Sequence, residues 1–145
     1  MLGQEKQYYT VDEANAMIPH LEETFMRILQ MRGQIKTIYD RLERAGMVLE
    51  EGGEELAELP DDALDTEMAG EQAALEGLIE AVEEELAQLH FRGALVKGLE
   101  PALVDWYARH EGQDIFLCWE FGETEVSWWH GLEEGYSGRR PVSEL

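Results

Sequence analysis

The chain has 145 residues, one domain's worth and enough to bury a core. Its 32 acidic residues against 11 Lys and Arg give a formal charge of −21, which repels nucleic-acid phosphates and anionic lipid and argues against both as partners. The single Cys rules out an internal disulfide, and neither a signal-peptide core nor a run of about 20 apolar residues occurs, so a soluble cytoplasmic protein is expected.

Thr10 and Glu13 form a capping-box pattern, which predicts a first helix over about residues 10–45. Ala14, Leu21, Ile28, Ile35 and Leu42 recur one heptad apart, a coiled-coil-like seam that calls for a partner helix of similar length. Pro19 lies inside it and removes the bond to the Asn15 carbonyl, so a kink is expected there. Residues 46–62 read as an acidic loop. A second helix is expected over residues 63–92, with Leu75, Leu78, Val82, Leu86 and Leu89 spaced by three and four. No Lys or Arg occurs from Ala45 to Phe91, whereas the first helix carries Arg27, Arg32, Lys36, Arg41 and Arg44. An antiparallel hairpin of the two therefore gains complementary charge. The acidic run also suits a basic protein partner.

Strands are expected over residues 94–130. Short ones at Ala94–Lys97 and Leu103–Ala108 lead to an aromatic hairpin of Ile115–Phe121 and Glu125–His130, turning at Gly122–Glu123. With that two-residue turn Trp119 faces Val126, Leu117 faces Trp128 and Ile115 faces His130. Leu117, Trp119, Val126 and Trp128 then point inward. A slip of one residue would set Glu125 and Ser127 beside Leu117 and Trp119, which argues for the unslipped register. In that register Cys118 and His130 project from opposite faces and share no ion. Cys118 reads as a small buried thiol, and His130 as an imidazole bonded to backbone or a carboxylate. The fold class is α+β: a long helical hairpin followed by a small antiparallel sheet of three to four strands.

Residues 131–145 form a Gly/Arg tail expected to fold back over the sheet. Cys118-Trp119-x-x-Gly122-Glu123, then Trp129-His130, then Gly135-Tyr136-x-Gly138-Arg139-x-Pro141 resemble the signature of a small bacterial family catalogued as domain of unknown function 2203. Tyr9 to Pro19 resembles that family's opening and Leu103-Val104-Asp105-Trp106 its middle. Some members carry a cell-division-initiation label, and the resemblance implies kinship without an activity.

Two functions are read from this pattern. The first is a non-catalytic interaction or scaffold module that self-associates through its helical hairpin, as a homodimer, with Trp106 and Trp129 as contact candidates. The second is a small-ligand or metal site where hairpin meets tail, built from Glu123, His130, Tyr136, Arg139 and Arg140. His130, Glu133 and Glu134 are its metal candidates, for a divalent ion. A guanidinium on a Gly-rich turn can clamp a carboxylate or phosphate, or simply pair with a nearby Glu. No cofactor loop and no activated nucleophile accompanies these residues, so no catalytic residue is assigned.

Overall fold

The computed structural model describes residues 6–44 and 66–145. The chain divides into two compact units, one of Met1–Phe25 with Leu86–Leu145 and the other of Met26–Glu85. Two helices, α1 (Val11–Arg44) and α2 (Thr66–Phe91), precede five strands: β1 (Leu95–Leu99), β2 (Ala102–His110), β3 (Gln113–Glu120), β4 (Trp128–Gly131) and β5 (Arg140–Pro141). The strands form one antiparallel sheet in the order β1-β2-β3-β4-β5. The expected acidic loop and the start of the second helix fall largely on residues 45–65, outside the described residues.

In the unit of residues 26–85, Ile38, Leu42 and Leu75 are buried together, with Ile35, Tyr39, Met68, Leu78 and Ile79 packed around them. Arg27 pairs with Glu85 at 2.8 Å and Arg41 with Glu71 at 2.9 Å. As the first index rises the second falls, so the helices run antiparallel with the charge complementarity expected of them.

The other unit is the sheet with the first turns of α1 laid on one face. The capping box is present: Thr10 N–H donates to Glu13 Oε1 at 2.9 Å and Glu13 N–H to Thr10 Oγ1 at 3.1 Å. Pro19 lies within a single helical span. Ala14, Ile18, Leu21 and Phe25 are buried, and Phe25 meets Trp119 and Phe121 with ring centroids 6.2 and 6.1 Å apart. Trp106 Nε1 donates to Met17 Sδ at 3.3 Å. This face of the sheet carries Val104, Trp106, Ala108, Ile115, Leu117, Trp119 and Trp129, all buried, so it supplies the main hydrophobic stabilisation of the unit. Gly93 ends α2 at φ +87°, where a Cβ would collide with the Tyr9 ring. Tyr9 OH donates to the Arg92 carbonyl across the same junction.

Two expectations about the strands are corrected. The sheet has five strands rather than three to four, because Arg140–Pro141 of the tail pairs with Trp128–Trp129. A two-residue edge strand is too short to show alternation, and its Pro is tolerated because an edge needs no donor there. The second correction concerns register. Phe116 pairs with His130, Leu117 with Trp129 and Cys118 with Trp128, which is the one-residue slip that the sequence argued against.

The cause is the connection. Residues 121–127 do not continue the strands, and Glu123 organises them. Its carboxylate accepts from Glu120 N–H at 2.7 Å and Trp128 Nε1 at 3.1 Å, while its carbonyl accepts from Trp119 Nε1 at 2.9 Å. Val126 is buried without a strand partner, its N–H donating to Asn15 Oδ1 at 2.6 Å. Glu125 and Ser127 therefore never enter the ladder, and the objection to the slipped register disappears. Trp129 turns inward in place of Trp128, and Phe116 and Cys118 are buried on the other face, Cys118 as the buried thiol expected.

Candidate metal centre

On the sheet face opposite α1, β2 contributes Asp105, β3 contributes Phe116 and Cys118, and β4 contributes His130. Asp105 stands directly across from Cys118, and Phe116 across from His130, which leaves Cys118 and His130 diagonal neighbours. Asp105, Cys118 and His130 are only 4 %, 2 % and 4 % exposed. One carboxylate oxygen, the thiol sulfur and one imidazole nitrogen lie within 4.8 Å of one another. The slipped register thus undoes the sequence argument that Cys118 and His130 cannot share an ion: they are on one face.

The imidazole is oriented from both ends. Nδ1 lies 2.8 Å from the Gly131 carbonyl, which can only accept, so Nδ1 carries a proton. Nε2 lies 3.1 Å from Asp105 Oδ2. Facing a carbonyl and a carboxylate, the ring donates at both nitrogens as imidazolium. The Asp105 hydrogen bond, followed by that to Cys118, pushes His130 up to about 10 against the opposing effect of burial. Burial pushes the Cys118 thiol up, and the nearby Asp105 charge adds to this while His130 opposes it.

The three residues form one wall of a cavity of about 150 Å³, whose other walls include Lys97, Leu103, Phe116, Leu132, Glu134 and Tyr136. Lys97 reaches it because of a bulge. Leu95 pairs with Asp105 and Val96 with Val104, but Gly98 pairs with Leu103, leaving Lys97 as the extra residue of the edge strand. Its Nζ sits 4.5 Å from the Phe116 ring centroid, and that ring is 5.5 Å from His130. Among the described residues no carboxylate pairs with Lys97.

The residues singled out in the sequence divide into separate networks. Arg139 NH1 donates to Glu123 Oε2 at 3.4 Å, and its guanidinium lies over Tyr136 at 4.0 Å and Trp128 at 4.9 Å. That is the pairing with a nearby Glu, and the guanidinium is engaged on each side. Tyr136 OH donates to Glu120 Oε1 at 2.9 Å. Arg140 NH2 donates to both oxygens of Glu134 at 2.9 Å and stacks over Trp129. The Gly131 N–H, followed by Arg140, holds the Glu134 carboxyl below its ordinary range. Gly138 permits this turn, since a Cβ there would come within 2.9 Å of Glu134 Cβ. Glu133 is exposed and lines a separate depression with Glu134 and Arg140, not the cavity beside the triad. Trp106 and Trp129, the contact candidates, are 0 % and 8 % exposed and belong to the core face.

Asp105 went unmarked in the sequence reading. The signal was a lone carboxylate in an otherwise apolar strand, Leu103-Val104-Asp105-Trp106-Tyr107, where burial without a partner is costly. Comparison with known proteins matches residues 7–142 to the family described as Uncharacterized conserved protein (DUF2203). No curated protein and no solved structure matches the chain.

Proposed function

The chain belongs to this family of uncharacterised conserved proteins, and we propose that it is a metal-binding protein whose Asp105, Cys118 and His130 hold one divalent transition metal, Zn²⁺ in the first instance. The observation that carries this is the convergence of carboxylate, thiol and imidazole within 4.8 Å on a buried face. Tetrahedral Zn²⁺ bonds of about 2.0–2.3 Å place ligand atoms about 3.3–3.6 Å apart, so the widest pair need close by at most about 1.5 Å. Asp105 and His130 already stand at 3.1 Å.

The hydrogen bonding around His130 supports this role. His130 Nδ1–H donates to the Gly131 carbonyl, which is how a metal-ligating imidazole is commonly fixed, leaving Nε2 for the ion. On binding, the Nε2 proton and the thiol proton leave, so neutral imidazole, thiolate and carboxylate face the cation. A mixed N, O and S set suits Zn²⁺ over Mg²⁺ or Ca²⁺, which prefer oxygen alone. Three protein ligands leave a fourth position, the pattern of reactive rather than purely structural zinc sites.

The test is titration of the chelator-stripped chain with Co²⁺ as a spectroscopic substitute. The expected result is uptake of about one ion per chain with a thiolate-to-cobalt band, lost in Cys118→Ser, and displacement of Co²⁺ by Zn²⁺. Absence of uptake, or an unchanged spectrum in Cys118→Ser, overturns the proposal.

A second reading, self-association as a scaffold, is favoured by a groove of about 590 Å³ on the helical pair, lined mainly by Gly33, Thr37, Ile38, Ala74 and Leu78 with Gln30, Gln34 and Arg41 around it. A seam covered by a single partner helix tends to recruit further copies.

A further inference from the structure

The cavity beside the triad has a chemistry of its own, and the inference drawn from it rests on the metal reading. Its volume of about 150 Å³ is about five waters' share of liquid volume, room for a molecule of about five or six non-hydrogen atoms. Leu103, Phe116 and Leu132 supply apolar wall, while Asp105, Cys118 and His130 form the floor. The charge around it is uneven. A divalent ion held by carboxylate, thiolate and neutral imidazole has no net charge. Glu134, also in the wall, is neutralised by Arg140 at 2.9 Å. Lys97 then remains, bulged out of β1 and held over Phe116. Among the residues lining the cavity this leaves one unbalanced positive charge next to an ion with an open position.

We infer that the cavity binds a short-chain monocarboxylate, its anionic head between Lys97 and the metal and its hydrocarbon against Leu103, Phe116 and Leu132. A dianion would exceed the available positive charge, and the apolar wall of Leu103, Phe116 and Leu132 suits a hydrocarbon tail. The bulge explains why a lysine sits here at all: an extra residue in an edge strand re-aims a side chain toward a site. Lys97 is a specificity residue in this arrangement, since it selects for charge without holding the metal.

The experiment uses the full chain loaded with Co²⁺ and follows the visible spectrum during titration with sodium butyrate, with butyramide as the comparison. Butyrate is expected to shift the bands and saturate. Butyramide is expected to leave them unchanged, and Lys97→Gln to weaken the butyrate response by about tenfold or more, the loss of one charge contact. Lys97 is exposed, so the variant is expected to fold, and retention of the thiolate-to-cobalt band shows that it has. If that band is present but butyrate does not move it, or Lys97→Gln responds like the parent chain, the carboxylate inference is overturned and the metal centre stands. If the thiolate band never appears, both are overturned.

Discussion

Burying Asp105 against His130 is expensive chemistry. An ion pair taken out of water regains its desolvation cost only with good geometry, and replacing such a pair by apolar residues of similar size is often neutral or stabilising. Breaking it is another matter. In the metal-free chain, Asp105→Ala leaves the His130 N–H without its acceptor in a site 4 % exposed, and should cost about 3–5 kcal/mol. The paired change Asp105→Leu with His130→Phe removes both polar groups and should recover most of that loss, to within about 1–2 kcal/mol of the parent chain. It should also abolish metal uptake. Urea unfolding of the three proteins checks this. A double variant as unstable as Asp105→Ala would mean that the pair is retained for stability, and the functional reading of its burial would lose its support.

Elements differ in how openly the sequence declares them. The capping box of Thr10 and Glu13 is a local signal, decided within a few residues, and is present in the fold; of the heptad positions Ala14, Leu21, Ile28, Ile35 and Leu42, all but the half-buried Ile35 are buried. Strand parity is not local. It depends on how many residues the connection consumes, and here Glu123 draws Glu120, Trp128 and Arg139 onto one carboxylate while Asn15 of α1 takes the Val126 N–H. No pattern within residues 115–130 records a hydrogen bond to residue 15. A one-residue error there moves His130 to the wrong face, so the candidate site was lost at the same step. The N-terminal segment gives an element-scale prediction. Asp114, at the start of β3, accepts from Lys6 Nζ and Tyr8 OH at 3.2 Å each and pairs with Arg109 at 3.4 Å, beside the Tyr9 N–H bond to the Tyr107 carbonyl at 2.8 Å. Burial would raise this carboxyl, but the hydrogen bonds from Lys6 and Tyr8 and the charges of Lys6 and Arg109 outweigh it and hold it below its ordinary 3.8. A depressed folded value means the clamp contributes fully above that ordinary value and is lost as pH falls through the folded one. Acidification should therefore loosen residues 6–9 from β2, seen as faster hydrogen exchange at Tyr9 and shifted Tyr8 resonances, and Asp114→Asn should loosen them at neutral pH. Unchanged Tyr8 resonances in Asp114→Asn would remove the clamp from the account.

For the molecule as a whole, the charge of −21 sets how copies meet one another. Two chains of that charge repel over about 10 Å at 0.1 M salt, and over only about 3 Å at 1 M. The groove on the helical pair is a weak lure by comparison, since Ile38 and Leu78 are its largest apolar side chains and Gln30, Gln34 and Arg41 share its lining. If copies associate there, apolar contact must overcome repulsion, and salt shifts that contest toward association. Light scattering across micromolar concentrations should report a mass near the chain's 16.6 kDa at low salt and a rise toward twice that value as salt increases. Truncating the groove with Leu78→Ala should suppress the rise without disturbing metal uptake, because Leu78 lies in the unit of Met26–Glu85 and the triad in the other. A monomer mass at every salt concentration would sink self-association and leave the metal centre as the chain's function. The opposite trend, a dimer that dissociates as salt rises, would point to association through complementary charge, with the surplus carboxylates of one copy on the few cations of the next.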